Sequence, residues 1–362
     1  MIAGLEPSGR AARSLARDGA DVAGSARKRS RVEGDRSTLR GTLRAVRDAR
    51  EWVTVSCRRS GMSERWMHGS VDMAAAGPSD CRGMADPILV LGATGTHGGA
   101  IVRALVAAGR LVRGLVRDPE SPRAQAVRAG GAELVSGDLM DPDSLTRAFA
   151  EVGAVYAVTT PFEHGADDEE RQGSHIIEAA RQAGLPWLLL ASVAAAGRAP
   201  VPHFASKARI EAQLAETDLA WTVIAPSYFY ENVLGAREAI ATGTLPMAVP
   251  PDMPLHQVAL VDLGAVVAAV LDRRVEHVGA RVEVAGDAPT PAEMAAAFGV
   301  RYEPVSLEQI RGRSADLAAM YEFLSDTGYG IDVGAVRARY PEVAWTPFAD
   351  WARAATSAIA AP

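Results

Sequence analysis

A glycine-rich segment between an apolar run and a helical pattern constrains this chain most strongly. Gly92, Gly95 and Gly98 follow the apolar residues 88–91, and an apolar helical pattern begins at Ala100. This order predicts a strand, a tight turn and a helix N terminus in succession. A turn without Cβ atoms lets backbone N–H groups approach a diphosphate; the alternative is a glycine-rich turn with no ligand. We predict a nucleotide site in which the cofactor contacts Gly92, Thr94, Gly95, Thr96, His97 and Gly98.

Strand and helix patterns alternate along the chain after this turn. Strands are predicted at residues 111–117, 132–136, 154–158, 187–191 and 221–225. Helices are predicted near residues 121–129, 142–151, 168–183 and 204–216. This alternation is typical of a parallel sheet covered by helices on both faces. The predicted fold class is therefore α/β, with a Rossmann-type doubly wound parallel sheet.

Polar residues stand at the carboxyl ends of the predicted strands, where the ligand of a doubly wound sheet lies. We expect one crevice to contain the glycine turn together with Arg117, Asp138, Thr159, Thr160 and Ser192. Within this crevice we predict that Asp138 lies beside the adenine of the cofactor. Asp141 is interpreted as a helix cap without a further role.

The end of the second strand bears on the choice of cofactor. An arginine at this place meets the 2′-phosphate of NADP, whereas a carboxylate binds the ribose hydroxyl of NAD. Arg117 comes first and Asp118 follows it, ahead of a proline that indicates a turn. We predict NADP(H) as the cofactor. NAD(H) is the alternative, in which Arg117 is a solvated charge and Asp118 binds the ribose.

The first 85 residues differ in composition from the rest of the chain. They carry 16 Lys/Arg against 10 Asp/Glu, whereas the remainder carries 22 against 34. They also contain few large apolar residues, which predicts a poorly ordered N-terminal extension over residues 1–85. The basic residues 27–31 are interpreted as a solvated tail, and no nucleic-acid partner is predicted.

The sequence disfavours several other classes of protein and site. No apolar stretch reaches the roughly eighteen residues of a spanning helix, so no membrane partner is predicted. Both cysteines, Cys57 and Cys81, precede the glycine turn, which leaves no disulfide framework beyond it and favours a cytoplasmic location. No second histidine stands at metal-ligand spacing from His97, so no metal is predicted.

Several segments together resemble one known family. They are Val90 to Gly99, Val116-Arg117-Asp118-Pro119, Gly137-Asp138-Leu139, Pro202-His203-Phe204 with Lys207, Pro226 to Asn232, and Phe348-Ala349-Asp350-Trp351. In these motifs the chain is similar to the NmrA-like (HSCARG-like) branch of the atypical short-chain dehydrogenases/reductases. The resemblance covers Asp86 to about Ala355 and excludes the first 83 residues.

This resemblance implies a domain organisation and a cofactor. It implies an NAD(P)-binding Rossmann domain over residues 86–226 and a preference for NADP(H). It also implies a small C-terminal α/β substrate lobe, mainly residues 227–362, with residues 256–285 returning to the Rossmann sheet. Members of the family range from reductases of quinones and other small molecules to NADPH-sensing regulators.

The residues around Lys207 decide whether the chain has the catalytic groups of the wider superfamily. The wider superfamily uses a lysine to orient the ribose, a tyrosine four residues earlier as the acid, and a serine to hold the substrate carbonyl. This chain has Lys207 and Ser192 in the lysine and serine positions, but His203 occupies the tyrosine position. We interpret His203 either as a proton donor or as a residue with a packing or gating role beside Phe204.

Aromatic residues after the predicted sixth strand complete the expected pocket. We predict that Phe204, Tyr228, Phe229 and Asn232 line the substrate pocket. Tyr228 and Tyr230 are alternative phenol donors, although aromatic residues at such a place more often form a wall. The acidic run from Asp167 to Glu170 is interpreted as an exposed helix start whose charges favour the helix dipole.

Together these observations favour an NAD(P)H-dependent reductase of a small aromatic or quinone-like substrate. Quinones need less acid assistance than ordinary carbonyls because the product oxyanion is delocalised, so the missing tyrosine does not exclude reduction. The alternative is a non-catalytic NADPH sensor that acts through a protein partner.

Overall fold

A parallel sheet organises the part of the chain that the computed structural model describes, residues 86–163 and 165–359. The predicted extension, residues 1–85, lies outside the described residues. In chain order the strands are β1 Ile88–Val90, β2 Val112–Val116, β3 Glu133–Ser136, β4 Ala154–Val158, β5 Leu188–Ala191, β6 Trp221–Pro226, β7 Tyr228–Phe229, β8 Thr244–Met247, β9 Gln257–Val258, β10 Ala280–Val284 and β11 Arg301–Pro304.

Helices alternate with these strands. They are α1 Thr96–Ala107, α2 Pro122–Ala129, α3 Pro142–Ala148, α4 Ala166–Gln182, α5 Pro202–Ala215, α6 Arg237–Ala241, α7 Leu260–Asp272, α8 Arg274–His277, α9 Pro291–Phe298, α10 Leu307–Arg311, α11 Ala315–Asp326, α12 Val333–Arg339 and α13 Phe348–Ile359. A 3₁₀ helix covers Tyr230–Ala236. Helix starts follow local rules: Asp141 accepts the N–H groups of Asp143 and Ser144, so it caps α3 as the sequence predicts.

The central sheet has the strand order β3-β2-β1-β4-β5-β6-β10, with every neighbouring pair parallel. The order reverses between β1 and β4, which is the switch point where ligands of doubly wound sheets bind. The predicted Rossmann-type fold is therefore confirmed. Two short parallel pairs, β7 with β9 and β8 with β11, lie apart from this sheet.

Successive side chains of the strands pack into two separate hydrophobic cores, one on each face of the sheet. Ile88 and Val90 pack with buried residues of α1 and α7, whereas Leu89 packs with those of α3, α4 and α5. This division follows from the strand geometry, in which successive side chains point to opposite faces. Helices therefore cover both faces of the sheet.

A third core belongs to the C-terminal elements. It unites buried residues of α9, α11 and α13 with β8 and with Phe204 of α5 and Tyr228 of β7. The C-terminal elements are thus packed onto residues at the carboxyl edge of the sheet. Among the helices of residues 86–163 and 165–359, none combines the length and the apolar character that crossing a membrane requires.

Charged side chains appear at the two edges of the central sheet. On one edge Glu133 of β3 is paired with Arg113 of β2 at 3.1 Å. On the other edge Arg281 of β10 is paired with Glu283 at 2.5 Å and with Glu211 of α5 at 2.9 Å. Strands β1, β4, β5 and β6 contain no charged residue.

Candidate functional site

The glycine turn joins β1 to α1 in a conformation that depends on missing side chains. Gly92 has a φ of +66°, in the left-handed region that favours glycine. A Cβ atom on Gly98 would lie 2.3 Å from the carbonyl oxygen of Gly92, so any larger residue would collide with the turn itself. From the sequence we expect the missing side chains to leave room for a diphosphate. At Gly98 a glycine is required for a different reason, namely that the turn packs closely against the first residues of the helix.

The N terminus of α1 is open toward solvent. Gly92, Thr94, Gly95 and Thr96 are exposed, and among the described residues no side chain caps this helix. Its first turn carries no acidic residue. Free N–H groups together with the helix dipole form a favourable place for an anion. The turn therefore fits the diphosphate of a dinucleotide.

His97 is buried beneath the turn. Its Nε2 lies 2.9 Å from the hydroxyl oxygen of Tyr156, and its ring packs edge-on against Phe229. Burial and the nearby charge of Lys207 lower the pKa of His97 to about 3, so the ring is neutral at physiological pH. His97 also lies on the wall of the pocket described below.

Arg117, Asp138 and Thr160 lie along the same carboxyl edge. The exposed Arg117 guanidinium, just after β2, is 3.3 Å from a carboxylate oxygen of Glu163. Asp138, after β3, closes its own turn by accepting the N–H of Met140. The N–H of Thr160 donates to the side chain of Gln172. The predicted cofactor contacts of these three residues stay predictions.

A pocket opens beside the glycine turn, at the ends of β4, β5 and β6. Aromatic rings supply much of its wall. The predicted residues that line it are His97, Thr159, Ser192, His203, Phe204, Lys207, Tyr228, Phe229 and Asn232. The other predicted residues, Gly92, Thr94, Gly95, Thr96, Gly98, Arg117, Asp138 and Thr160, lie outside this wall.

Lys207 is held in the pocket wall by a buried carboxylate. Its Nζ donates to Glu169 Oε1 at 2.6 Å and to Thr159 Oγ1 at 2.9 Å. Glu169 is fully buried and also accepts the hydroxyl of Ser206 at 2.5 Å. The interpretation of the whole acidic run as exposed is therefore wrong at Glu169. The side chain of this residue turns inward because α4 packs against α5, which presents the lysine.

His203 is fixed by a residue far away in sequence. Its Nδ1 lies 2.6 Å from Asp316 Oδ2, and its backbone N–H donates to Asp316 Oδ1 at 3.1 Å. Rings of Phe162 and Phe204 pack beside the imidazole. Burial alone raises the pKa of Asp316, but the hydrogen bonds and the charge of His203 outweigh this effect and lower the pKa.

Ser192 is engaged with a second carboxylate. Its hydroxyl donates to Oε1 of Glu211, which also pairs with Arg281. The proton of Ser192 thus points toward α5 in this structure. Holding a substrate carbonyl would require that this bond be exchanged, and the predicted role of Ser192 stays a prediction.

The tyrosines after β6 take different places. Tyr228 faces the pocket, and its hydroxyl lies 3.2 Å from that of Tyr321 and also bonds Asn232. Burial raises the pKa of Tyr228 well above its usual value, so its phenol stays protonated. Tyr230 donates to the carbonyl of Thr346 in the C-terminal core, away from the pocket. Of the two alternative donors, only Tyr228 lies at the site.

The structure adds site residues that sequence reasoning missed. Ser227 lines the pocket with a buried hydroxyl that has no hydrogen-bond partner among the described residues. Leu317, Met320 and Tyr329 reach the pocket from the C-terminal elements. These contacts could not be predicted from the sequence, in which the one relevant signal is the position of Ser227 directly after an apolar strand. No group of three or more metal-ligating side chains is found in the described ranges.

Comparison with known proteins decides the family. A model described as the NmrA-like family matches residues 84–350. The chain belongs to this family. The resemblance seen in the sequence motifs is thereby confirmed, including its beginning after the first 83 residues.

Individual relatives agree with this assignment. The chain is 30% identical to an NAD(P)H azoreductase from Xenophilus azovorans over 66% of its own length and 84% of that protein. It superposes on an NADPH complex of a quinone oxidoreductase from Escherichia coli with a TM-score of 0.64 and 22% identity, covering 74% of this chain and 99% of that one. It superposes equally well, at 0.64 and 19% identity, on the negative transcriptional regulator NmrA in complex with NADP, covering 76% and 96%. The two structural likenesses establish the fold alone.

Proposed function

We propose that this protein is an NADPH-dependent reductase of planar aromatic electron acceptors, with quinones as the favoured class. The observation that carries the proposal is the pocket itself. Its aromatic wall, formed by Phe162, Phe204, Tyr228, Phe229 and Tyr329, stands beside the glycine turn and surrounds Lys207. Aromatic rings favour flat, apolar ligands, and the few polar groups fix their orientation.

The residues at the turn fit a dinucleotide. The open N terminus of α1 supplies N–H groups for the diphosphate, and Arg117 supplies an exposed guanidinium at the end of β2 for a 2′-phosphate. The unpartnered hydroxyl of Ser227 is a further sign that a polar ligand group belongs in this pocket. When bound there, NADPH supplies a hydride.

Lys207 and its partners would orient the cofactor. Thr159 and Glu169 hold the ammonium group at the pocket wall, which limits its freedom before any ligand arrives. We assign Lys207 to the ribose next to the nicotinamide. The carboxylate of Glu169 balances the charge of the lysine, so the pocket does not depend on the cofactor to neutralise it.

His203 would supply the proton that a reduced quinone needs. It lies one helical turn before Lys207 on α5, and both side chains line the pocket. Reduction by hydride leaves an oxyanion on the product, and an imidazole N–H donates to such a group near neutral pH. The stacked rings of Phe204 and Tyr329 help to keep water from this region.

The relatives support this choice over the alternative. One relative is named an NAD(P)H azoreductase and one structural neighbour an NADPH-dependent quinone oxidoreductase, and both names fit a reductase of aromatic acceptors. The likeness to the regulator NmrA favours the second candidate, an NADPH sensor that controls a protein partner.

Turnover separates the two candidates. The full chain is incubated with NADPH and, in turn, a benzoquinone, a naphthoquinone and an azo dye, while oxidation of the cofactor is followed by absorbance. Gly95→Val is the control. Its added side chain narrows the space through which the diphosphate approaches the turn, so this variant should neither bind NADPH nor oxidise it. Steady oxidation with at least one acceptor supports the reductase. Tight NADPH binding by calorimetry without turnover of any acceptor would favour the sensor.

A further inference from the structure

One carboxylate holds both the backbone and the ring of His203. Asp316 uses Oδ1 for the backbone N–H and Oδ2 for Nδ1, at 3.1 Å and 2.6 Å. A single side chain therefore fixes the position of the residue and the rotation of its ring. Because Nδ1 is engaged, Nε2 is the ring nitrogen left for a ligand in the pocket that His203 lines.

Asp316 comes from a C-terminal helix and not from the central sheet or the helices between its strands. It lies in the first turn of α11, 113 residues after His203, where Ser314 caps the helix. Leu317 and Met320 of the same helix line the pocket. The helix that closes the pocket is thus also the helix that carries the carboxylate.

We propose that Asp316 is a positioning residue that forms a dyad with His203 and directs the Nε2–H of the imidazolium toward the bound acceptor. This proposal rests on the proposed reductase function and deepens it. NADPH would supply a hydride to the acceptor; the hydride brings both electrons of the new bond, so the acceptor becomes an oxyanion. The Nε2–H bond of His203 breaks, its proton forms the O–H bond of the product, and the neutral ring keeps its proton on Nδ1 toward Asp316. Solvent restores the proton on Nε2.

The charges around His203 suit this role. Asp316 of α11 is the carboxylate in direct contact with the ring, and Lys207 follows one turn later on α5. The charge of Lys207 is balanced by Glu169 of α4, so Asp316 supplies the net negative charge beside the imidazole. A carboxylate bonded to Nδ1–H both selects the tautomer and stabilises the imidazolium, as in other carboxylate–histidine pairs.

Asp316→Asn tests the dyad. The amide has the same shape but no charge, and its NH₂ group can donate to Nδ1 and so support the opposite tautomer. We expect kcat with a quinone to fall about 10-fold or more, up to the roughly 100-fold expected for His203→Ala, while KM for NADPH changes less than about twofold. The falling limb of the kcat profile should move to lower pH, because the imidazolium has lost its counter-charge.

Controls separate positioning from a merely structural effect. Glu322→Gln changes an exposed acid on the same helix and should leave kcat and the pH profile unchanged. The double variant His203→Ala with Asp316→Asn should be no slower than His203→Ala alone, since the carboxylate acts through the ring. A further additive loss in the double variant, or an unmoved pH limb in Asp316→Asn, would overturn the proposal.

The imidazole signals give a readout that does not need turnover. Nuclear magnetic resonance of ¹⁵N-histidine-labelled protein should show neutral His203 protonated on Nδ1 in the wild type and a changed tautomer in Asp316→Asn. A wild-type ring protonated on Nε2 would refute the dyad directly. If the wild type oxidises no NADPH with any acceptor, the proposed function fails and the catalytic role of the dyad fails with it. The tautomer then still shows whether Asp316 orients the ring.

Discussion

The buried pair of Glu169 and Lys207 makes a quantitative prediction about stability. Glu169 is fully buried, and its carboxylate accepts hydrogen bonds from Lys207, Thr159 and Ser206. Glu169→Gln keeps the shape but leaves the ammonium of Lys207, whose side chain is only 13% exposed, without its counter-charge. Breaking such a pair from one side costs about 3–5 kcal/mol, and we expect at least the lower value here.

The chain provides a matched control at the next residue. Glu170, on the same turn of α4, also pairs with a cation of α5, Arg209, at 2.6 Å. The side chain of Arg209 is 48% exposed and that of Glu170 is 30% exposed, so water screens the interaction. Glu170→Gln should therefore cost less than about 1 kcal/mol.

Urea unfolding of the full chain measures both free energies. Circular dichroism follows the transition, and equal m-values in the variants show that the comparison is valid. The double variant Glu169→Leu with Lys207→Met removes both charges, and we expect it to be less destabilised than Glu169→Gln alone. If Glu169→Gln and Glu170→Gln differ by less than about 0.5 kcal/mol, the usual range of surface substitutions, the assigned burial of the pair is wrong.

Three further predictions concern the turn and the pocket. Gly98→Ala places a Cβ 2.3 Å from a backbone oxygen and should cost about 1–3 kcal/mol of stability in thermal unfolding. In the control Gly95→Ala the nearest contact of the Cβ is 3.3 Å, so this variant should lose less stability. Arg117→Ala should weaken NADPH binding by about 1.5–3 kcal/mol in calorimetry and leave the affinity for NADH nearly unchanged. The exposed residue Arg128 provides the control variant Arg128→Ala. An equal loss of affinity for both cofactors, or the same loss in the control, would contradict contact with the 2′-phosphate. Ser227→Ala should leave the cofactor-free protein as stable as the wild type, because the hydroxyl has no partner there, yet weaken ligand binding; unchanged ligand affinity would argue against a ligand contact.

The sheet could be predicted because its signals are local. Each strand has its own apolar run, and each helix its own start, such as Asp141 before Pro142. Parallel strands must end at one edge, so the order of the strands alone placed Thr159 and Ser192 in one crevice. The pattern of the wider superfamily added Lys207 to this site. The structure brings these three residues to the wall of one pocket.

The partners of these residues could not be predicted in the same way. Glu169 stands in an acidic run whose pattern is typical of a solvated helix start, and only the packing of α4 against α5 shows that its side chain is buried. Asp316 lies in a helix start with an ordinary cap, and nothing nearby in sequence relates it to His203. Such contacts arise from tertiary packing, which periodicity does not encode.

The charges on the outer strands have a consequence for how copies of this protein meet. A sheet edge exposes unpaired backbone groups that another strand can join, and such joining leads to aggregation. Here Glu133 marks one edge, and Arg281 and Glu283 mark the other. A second strand that approached either edge would have to displace paired charges and strip their water. These charged residues therefore oppose the growth of the sheet from one molecule into the next, while β1, β4, β5 and β6, which contain no charged residue, keep their apolar packing.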